Sequence, residues 1–241
     1  MSPIAALKNS PVVRWVFQNV FVTGDNVRLI AQQPVIRDFL PSSAERALDA
    51  GAGSGEYARR LLLPRARRLV ALDIGEHSLA RLRSRLAATD AHRCRLVAGS
   101  VESVPCQDHA FDLVLCSEVL EHCEEDRGVL RELARVMRPG GTLVIAVPVP
   151  PAPYPDAMHV RDGYTAEALS ELLEEAGFQV LEHRYCMFRW SRAALRLRIW
   201  AGRHLRLPLP LMGIVHLERW LMNGRGAEAL PFDLVIRAAK R

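Results

Sequence analysis

Leu48-Asp49-Ala50-Gly51-Ala52-Gly53-Ser54-Gly55 runs from an apolar strand end into an acid and then three glycines at alternate positions. Glycine at such a turn allows backbone angles that other residues avoid, and it lets a ligand approach the main chain closely. Glu56-Tyr57-Ala58-Arg59-Arg60-Leu61-Leu62 follows and reads as a helix start. A strand, a glycine turn and a helix together make a cradle for a nucleotide-type cofactor.

On either side of this cradle, short apolar runs alternate with amphipathic helical patterns. Strands are expected at Arg46–Ala50, Arg68–Asp73, Arg95–Ala98, Phe111–Cys116, Gly141–Pro148, Phe178–Cys186 and Pro231–Arg237. Helices are expected at Glu56–Leu63, Gly75–Ala88, Glu124–Met137 and Thr165–Ala176, with Pro139-Gly140-Gly141 stopping the third of them. Such alternation implies an α/β fold, a mostly parallel, doubly wound (Rossmann-like) sheet covered on both faces. We expect one domain, with an N-terminal helical segment over 10–40, a cofactor-binding core over 41–187, a basic helical insertion over 188–226 and a final strand in 227–241.

Composition narrows the function classes. The chain has 241 residues, about half of them apolar, enough for a sizeable core. No apolar run approaches the ~18–20 residues that span a bilayer. Met1–Lys8 lacks a basic region followed by a long apolar stretch, so no signal peptide is expected. Cys94, Cys106, Cys116, Cys123 and Cys186 are odd in number and contain no C-x-x-C pair, which points to free thiols in a reducing cytoplasm and to no metal site. Six arginines, at 189, 192, 196, 198, 203 and 206, lie in a stretch without acids; removing them takes the formal charge from +5 to −1. The basicity is therefore local, which argues against a nucleic-acid-binding face.

The dinucleotide fingerprint needs G-x-G-x-x-G with its third glycine inside the helix. Here the spacing is Gly51-x-Gly53-x-Gly55, and Glu56 follows. An acid there is badly placed beside a pyrophosphate and acceptable beside S-adenosylmethionine, which carries none. Asp49 is placed to hold the ammonium group of that cofactor, and the backbone of Gly51, Ala52, Gly53 and Gly55 to approach its chain. Asp73 ends the second strand, where a carboxylate accepts from both ribose hydroxyls; its other reading is a cap for the next helix. Ile74, next in the chain, is assigned to the same cofactor site.

With these residues in place the chain resembles the class I S-adenosylmethionine-dependent methyltransferases, in their small-molecule group. The resemblance runs from about Ala47 to Phe178. It rests on the glycine motif, Leu72-Asp73, Phe111-Asp112-Leu113-Val114-Leu115-Cys116-Ser117-Glu118-Val119-Leu120-Glu121-His122, Leu133–Leu143 with its Arg138-Pro139-Gly140-Gly141, and Leu172–Phe178. It implies a seven-stranded sheet with an antiparallel last strand. It also implies that the loop after the third strand touches adenine. Many relatives have Gly-Asp there; this chain has Gly99-Ser100, so the hydroxyl of Ser100 and the N–H of Val101 take that place. Cys116 and Ser117 would flank the methionine part through backbone groups, with Cys116 a small buried residue and not a nucleophile.

Methyl transfer asks the protein mainly to align and desolvate the reactants. A hydroxyl acceptor also needs a base, and His159 and His122 are the candidates. His122 is expected one helical turn after Glu118 on a shared face, and His159 follows the fifth strand, on the side of the sheet where ligands bind. The competing reading for each is a hydrogen-bonded loop histidine. Tyr164 is expected to anchor the loop before a Thr165 helix cap.

In the insertion, Trp190, Ala193, Ala194, Leu197, Trp200 and Ala201 fall on one helical stripe flanked by Arg189, Arg192, Arg196 and Arg203. Three readings are open: a lid whose stripe packs on the sheet domain, a peripheral contact of 188–206 with anionic membrane, or an oligomer interface. Functionally, these features point to methyl transfer onto a small or lipid-linked acceptor, at oxygen. Carbon or nitrogen methylation of a quinone-like or amine substrate, or a non-catalytic cofactor-binding partner protein, are the alternatives.

Overall fold

The computed structural model describes residues 24–151, 159–204, 210–222 and 231–241. The expected helical segment before residue 24, residues 152–158 of the proline-rich loop, and residues 205–209 and 223–230 of the insertion lie outside the described residues.

Seven strands form one sheet in the order β3-β2-β1-β4-β5-β7-β6. They are β1 (Ala44–Ala50), β2 (Ala66–Asp73), β3 (Cys94–Ala98), β4 (Phe111–Ser117), β5 (Met137–Pro148), β6 (Phe178–Cys186) and β7 (Asp233–Lys240). β7 runs antiparallel to β5, and the pairings among β1 to β5 are parallel. The inner strands are apolar on both faces: Leu113 to Cys116 and Leu143 to Val147 are all fully buried. Such continuous runs mark strands covered by helices on both sides. At one edge β6 alternates half-buried and exposed positions between its buried ends and carries Glu182 and Arg184, charges that discourage further strand pairing.

The helices are α1 (Gly24–Phe39), α2 (Glu76–Arg85), α3 (Asp126–Val136), α4 (Ala166–Glu175), α5 (Arg189–His204) and α6 (Met212–Met222), with a four-residue turn at Ala88–Ala91. α3 ends at Val136, before Arg138-Pro139, and those residues join β5 through a register shift opposite Phe111 and Leu113. The expected helix at Glu56–Leu63 becomes a wide helical turn over Ala58–Leu62. At the amino edge of the sheet the Asp112 carboxylate accepts from Glu45 N and Arg46 N, both at 2.8 Å, and clamps β1 onto β4.

The chain divides into two compact units. One comprises residues 35–184 and 233–241 and holds the sheet; the other comprises residues up to 34 and 185–232. In the second, α5 and α6 pack together. Glu218 of α6 is buried, and its carboxylate accepts from the N–H groups of Phe188, Trp190 and Ser191 at the start of α5. An anion there satisfies donors that the first helical turn leaves without partners.

The expected stripe on α5 is split. Ala194 and Ala201 face inward with Ser191 and Leu195, because small side chains allow close helix packing. Trp190, Leu197 and Trp200 face out, 42%, 46% and 52% exposed. α6 adds Ile214, Leu217, Trp220 and Leu221, exposed on its outer face.

Candidate cofactor and acceptor site

The strand order reverses beside β1, since β2 continues to one side and β4 to the other. Ligands of open α/β sheets bind outside the carboxyl ends of strands at such a switch point. The glycine turn leaves β1 at that place. Gly51 N and Ala52 N both donate to Leu72 O at 2.9 Å, which ties the turn to the end of β2. Gly51 has φ +82°, and a Cβ on it would lie 2.2 Å from Val119 Cγ2, so the loop after β4 packs directly on this turn.

Asp73 organises the other wall. Its carboxylate accepts from Gly53 N and Gly75 N, each at 2.7 Å, so one side chain fixes both the glycine turn and the start of α2. It braces the helix start, and each of its oxygens keeps a second lone pair. Ile74 beside it is 78% exposed, an apolar surface at the rim of the site. Glu56 is held by Arg60 at 3.0 Å and by Arg85 at 2.8 Å.

Asp49 is 3% exposed, and its Oδ2 has no hydrogen-bond partner among the described residues. Burial, with the nearby Asp73 charge second, raises its carboxyl from 3.8 to about 7. On the adjacent strand the buried Ser117 Oγ also lacks a partner. Polar atoms left so at the carboxyl ends of β1 and β4 are costly unless a ligand meets them. They fit an amino-acid moiety with an ammonium to donate. Cys116 is fully buried, and its thiol is held well above its ordinary pKa by desolvation.

After β3 the Ser100 hydroxyl accepts from Glu102 N at 3.1 Å and shapes the turn, while the Val101 side chain is in the core. Their remaining groups toward a ligand are the Ser100 O–H and the Val101 main chain.

The loop after β4 departs from the expected helical face. Glu118 has φ +57°, and Leu120–His122 form a single tight turn, so Glu118 and His122 do not share an α-helical face. The structure instead brings His122 to His159: the rings are edge to face with centroids 4.7 Å apart. Val160 N donates to Glu121 O at 3.0 Å and fastens the two segments. Arg161 strengthens the join by donating to Cys123 O at 2.8 Å and Glu124 O at 2.9 Å and by pairing with Asp126. Tyr164 is buried and donates to Asp126 Oδ2 at 3.0 Å, and Thr165 Oγ1 accepts from Ala168 N, so the expected anchor and cap are both present. Burial and the Asp126 charge push the Tyr164 phenol up, which keeps it protonated.

Sequence reading missed Glu121. Its carboxylate is fully buried, with Oε1 3.9 Å from His122 Nε2. The signal was its place beside His122, at the end of a buried strand. Arg161 was also missed, since nothing in sequence ties residue 161 to residues 123–126. A separate cavity of about 1310 Å³ opens at the opposite, amino edge, among Arg46, Arg68, Arg95 and Arg138, away from all of these groups.

Residues 48–145 match the methyltransferase domain family, spanning the glycine turn, Asp73, β4 and the Pro139-Gly140 segment. Over this stretch the chain is similar to S-adenosylmethionine-dependent methyltransferases. S-adenosylmethionine is the cofactor of that domain, and the orphaned Asp49 and Ser117 atoms suit it. The chain is 38% identical over 129 residues to a demethylmenaquinone methyltransferase of Clavibacter sepedonicus, covering 53% of this chain and 49% of that one. It is 34% identical over 154 residues to a malonyl-[acyl-carrier protein] O-methyltransferase of Methylococcus capsulatus, covering 59% and 54%. The chain thus spans about half the length of the curated relatives it matches. The crystal structure of the [4+2]-cyclase SpnF superposes with a TM-score of 0.62 at 22% identity, over 89% of this chain and 81% of that one. At that identity the likeness concerns the fold alone.

Proposed function

We propose that the protein transfers a methyl group from S-adenosylmethionine to a hydroxyl oxygen of a small or lipid-linked acceptor, which it meets at an anionic membrane surface. The exposed apolar face of α5 and α6 carries this reading. Trp190, Leu197, Trp200, Ile214, Leu217, Trp220 and Leu221 are each at least 40% exposed, among them three of the chain's four tryptophans. Arg189 and Arg196 stand exposed beside them on α5. Aromatic and aliphatic side chains with flanking arginines are the requirement for a helix lying in a headgroup layer. No helix among the described residues is long and apolar enough to cross a membrane.

The cofactor supplies an activated methyl group on a sulfonium. The chain's part is to hold it and to prepare the acceptor. Asp49 and Ser117 receive its amino-acid end, Asp73 its ribose, and Ile74, Ser100 and Val101 its adenine. His159 and His122 stand at the carboxyl edge after β5 and β4, where an acceptor hydroxyl gives up its proton. The O-methyltransferase named among the relatives supports oxygen as the acceptor atom. The demethylmenaquinone enzyme supports a second reading, carbon methylation of a quinone-like lipid.

The test combines two assays on the full chain. Flotation with phosphatidylglycerol vesicles at low salt should carry the protein upward, and Trp200→Ala with Trp220→Ala should abolish this. Radiolabelled S-adenosylmethionine with a membrane lipid extract should then yield a labelled ether or ester. Absence of flotation refutes the membrane surface. Label in a carbon-bound methyl selects the quinone reading, and cofactor binding without any labelled product refutes catalysis.

A further inference from the structure

Glu121, His122 and His159 form a cluster that the cysteine spacing gave no reason to expect. Each offers one ligand atom, and these three atoms lie within 4.8 Å of one another. The cluster is assembled from two loops. Glu121 and His122 sit in the tight turn after β4, and His159 comes from the segment before α4. The Val160 N to Glu121 O hydrogen bond and the Arg161 bonds to Cys123 O and Glu124 O hold those loops in register. The scaffold is therefore fixed independently of the three side chains.

The chemistry of the group is specific. The Glu121 carboxylate is fully buried, and a carboxylate taken out of water favours a cation brought close to it. The two imidazole rings stand edge to face beside that carboxylate, with 4.7 Å between their centroids. Glu121 Oε1 lies 3.9 Å from His122 Nε2. Two imidazoles with one carboxylate are the donor set of a borderline divalent cation with open positions. Ligand atoms ~2.0–2.2 Å from such an ion lie ~3.3–3.6 Å apart, so closure asks for roughly 1 Å of side-chain movement.

We infer that Glu121, His122 and His159 bind a divalent transition-metal cation of the Zn²⁺ class, leaving a position for the acceptor hydroxyl. This rests on the oxygen-methylation reading above and gives the two histidines their part in it: they act as ligands and not as free bases. Such a cation would acidify an acceptor O–H placed on it, as it does water, and the proton would leave to solvent. The acceptor oxygen then uses a lone pair to form the O–CH₃ bond. The S–CH₃ bond breaks with its electron pair remaining on sulfur, so the products are the methylated acceptor, neutral S-adenosylhomocysteine and one proton.

The experiment uses full-length protein treated with chelator and then titrated with Co²⁺, followed by its visible absorption, and with Zn²⁺ by calorimetry. S-adenosylhomocysteine affinity is measured in parallel. One saturable site should appear. His122→Asn and His159→Asn should each weaken it by no less than the ~10–100-fold that loss of a mere outer-shell partner costs. S-adenosylhomocysteine should bind both variants as it binds the unaltered protein, showing that they are folded. No saturable site at millimolar cation, or a site equally strong in both variants, overturns the inference. Methylation that proceeds unchanged in chelator also overturns it, while leaving the oxygen-methylation reading intact. A Co²⁺ site lost in the variants, with no acceptor ever methylated, upholds the cation site and refutes the reading beneath it.

Discussion

Replacing Asp49 with Asn should stabilise the cofactor-free protein at alkaline pH while weakening its hold on the cofactor. The carboxyl is 3% exposed and is raised from 3.8 to about 7, first by burial and then by the Asp73 charge. The unfolded chain releases this proton near pH 3.8, and the folded chain keeps it until about pH 7. Between those values the native state binds more protons than the unfolded one, so stability falls as pH rises through the window and stays reduced above it. The pKa difference corresponds to ~4 kcal/mol, and relaxation around the charge lowers what is realised to about 2–4 kcal/mol. Asparagine carries no charge, keeps an acceptor for the Ala58 N–H and removes that cost. Thermal melts of the two proteins should therefore agree at about pH 3, below the window, and differ by roughly 5–10 °C in favour of the variant at about pH 8.5. Addition of S-adenosylmethionine should reverse the order at the higher pH, because its ammonium becomes the missing partner of Oδ2. An Asn variant less stable than the parent at both pH values without cofactor would refute the reasoning, since Asp49 would then be a partnered or solvated charge.

Three further outcomes follow from the geometry. Gly55 has φ +77° and a Cβ built there meets Leu82 Cδ1 at 2.1 Å, whereas Gly53, at φ +52°, has nothing within 4 Å. Gly55→Ala should lower stability by ~2–4 kcal/mol and Gly53→Ala by only ~1–2 kcal/mol; equal losses in denaturant titrations would remove the packing part of the argument. Glu218→Ala strips the acceptor from three N–H groups at the start of α5, with an expected cost of about 2 kcal/mol. Hydrogen exchange over residues 188–204 should accelerate, and unchanged protection would contradict the capping role. Arg161→Ala frees the His159 segment from Cys123 O and Glu124 O. Turnover should fall ~10–100-fold with S-adenosylhomocysteine affinity unchanged; loss of that affinity instead would place Arg161 in cofactor binding.

The cofactor half of the site was legible because its parts are local. The glycines at 51, 53 and 55, the acid closing β2 and the buried runs of β4 and β5 each announce themselves within ten residues, through turn chemistry and apolar patterning. β-α alternation then implies a sheet, and the resemblance supplies its last, antiparallel strand. The double duty of Asp73 was less legible. Its bonds to Gly53 N and Gly75 N depend on β1 and β2 lying side by side.

Helical periodicity alone placed Trp190, Ala194, Trp200 and Ala201 on a single stripe and offered no inward direction. Only packing decided that Ala194 and Ala201 turn in while Trp190 and Trp200 turn out, because the neighbouring helix admits small side chains at close approach. The same holds for the acceptor side. Each histidine was visible in sequence as a candidate, but Glu121 read as one more polar residue after a strand. It became the centre of a cluster when parallel β4 and β5 delivered their following loops to the same edge of the sheet. What the chain determines by itself is the cradle, since backbone conformation and strand patterning are properties of neighbouring residues. What tertiary structure decides is which distant side chains share a space out of water, and there the burial of Glu121 beside two imidazoles sets the chemistry.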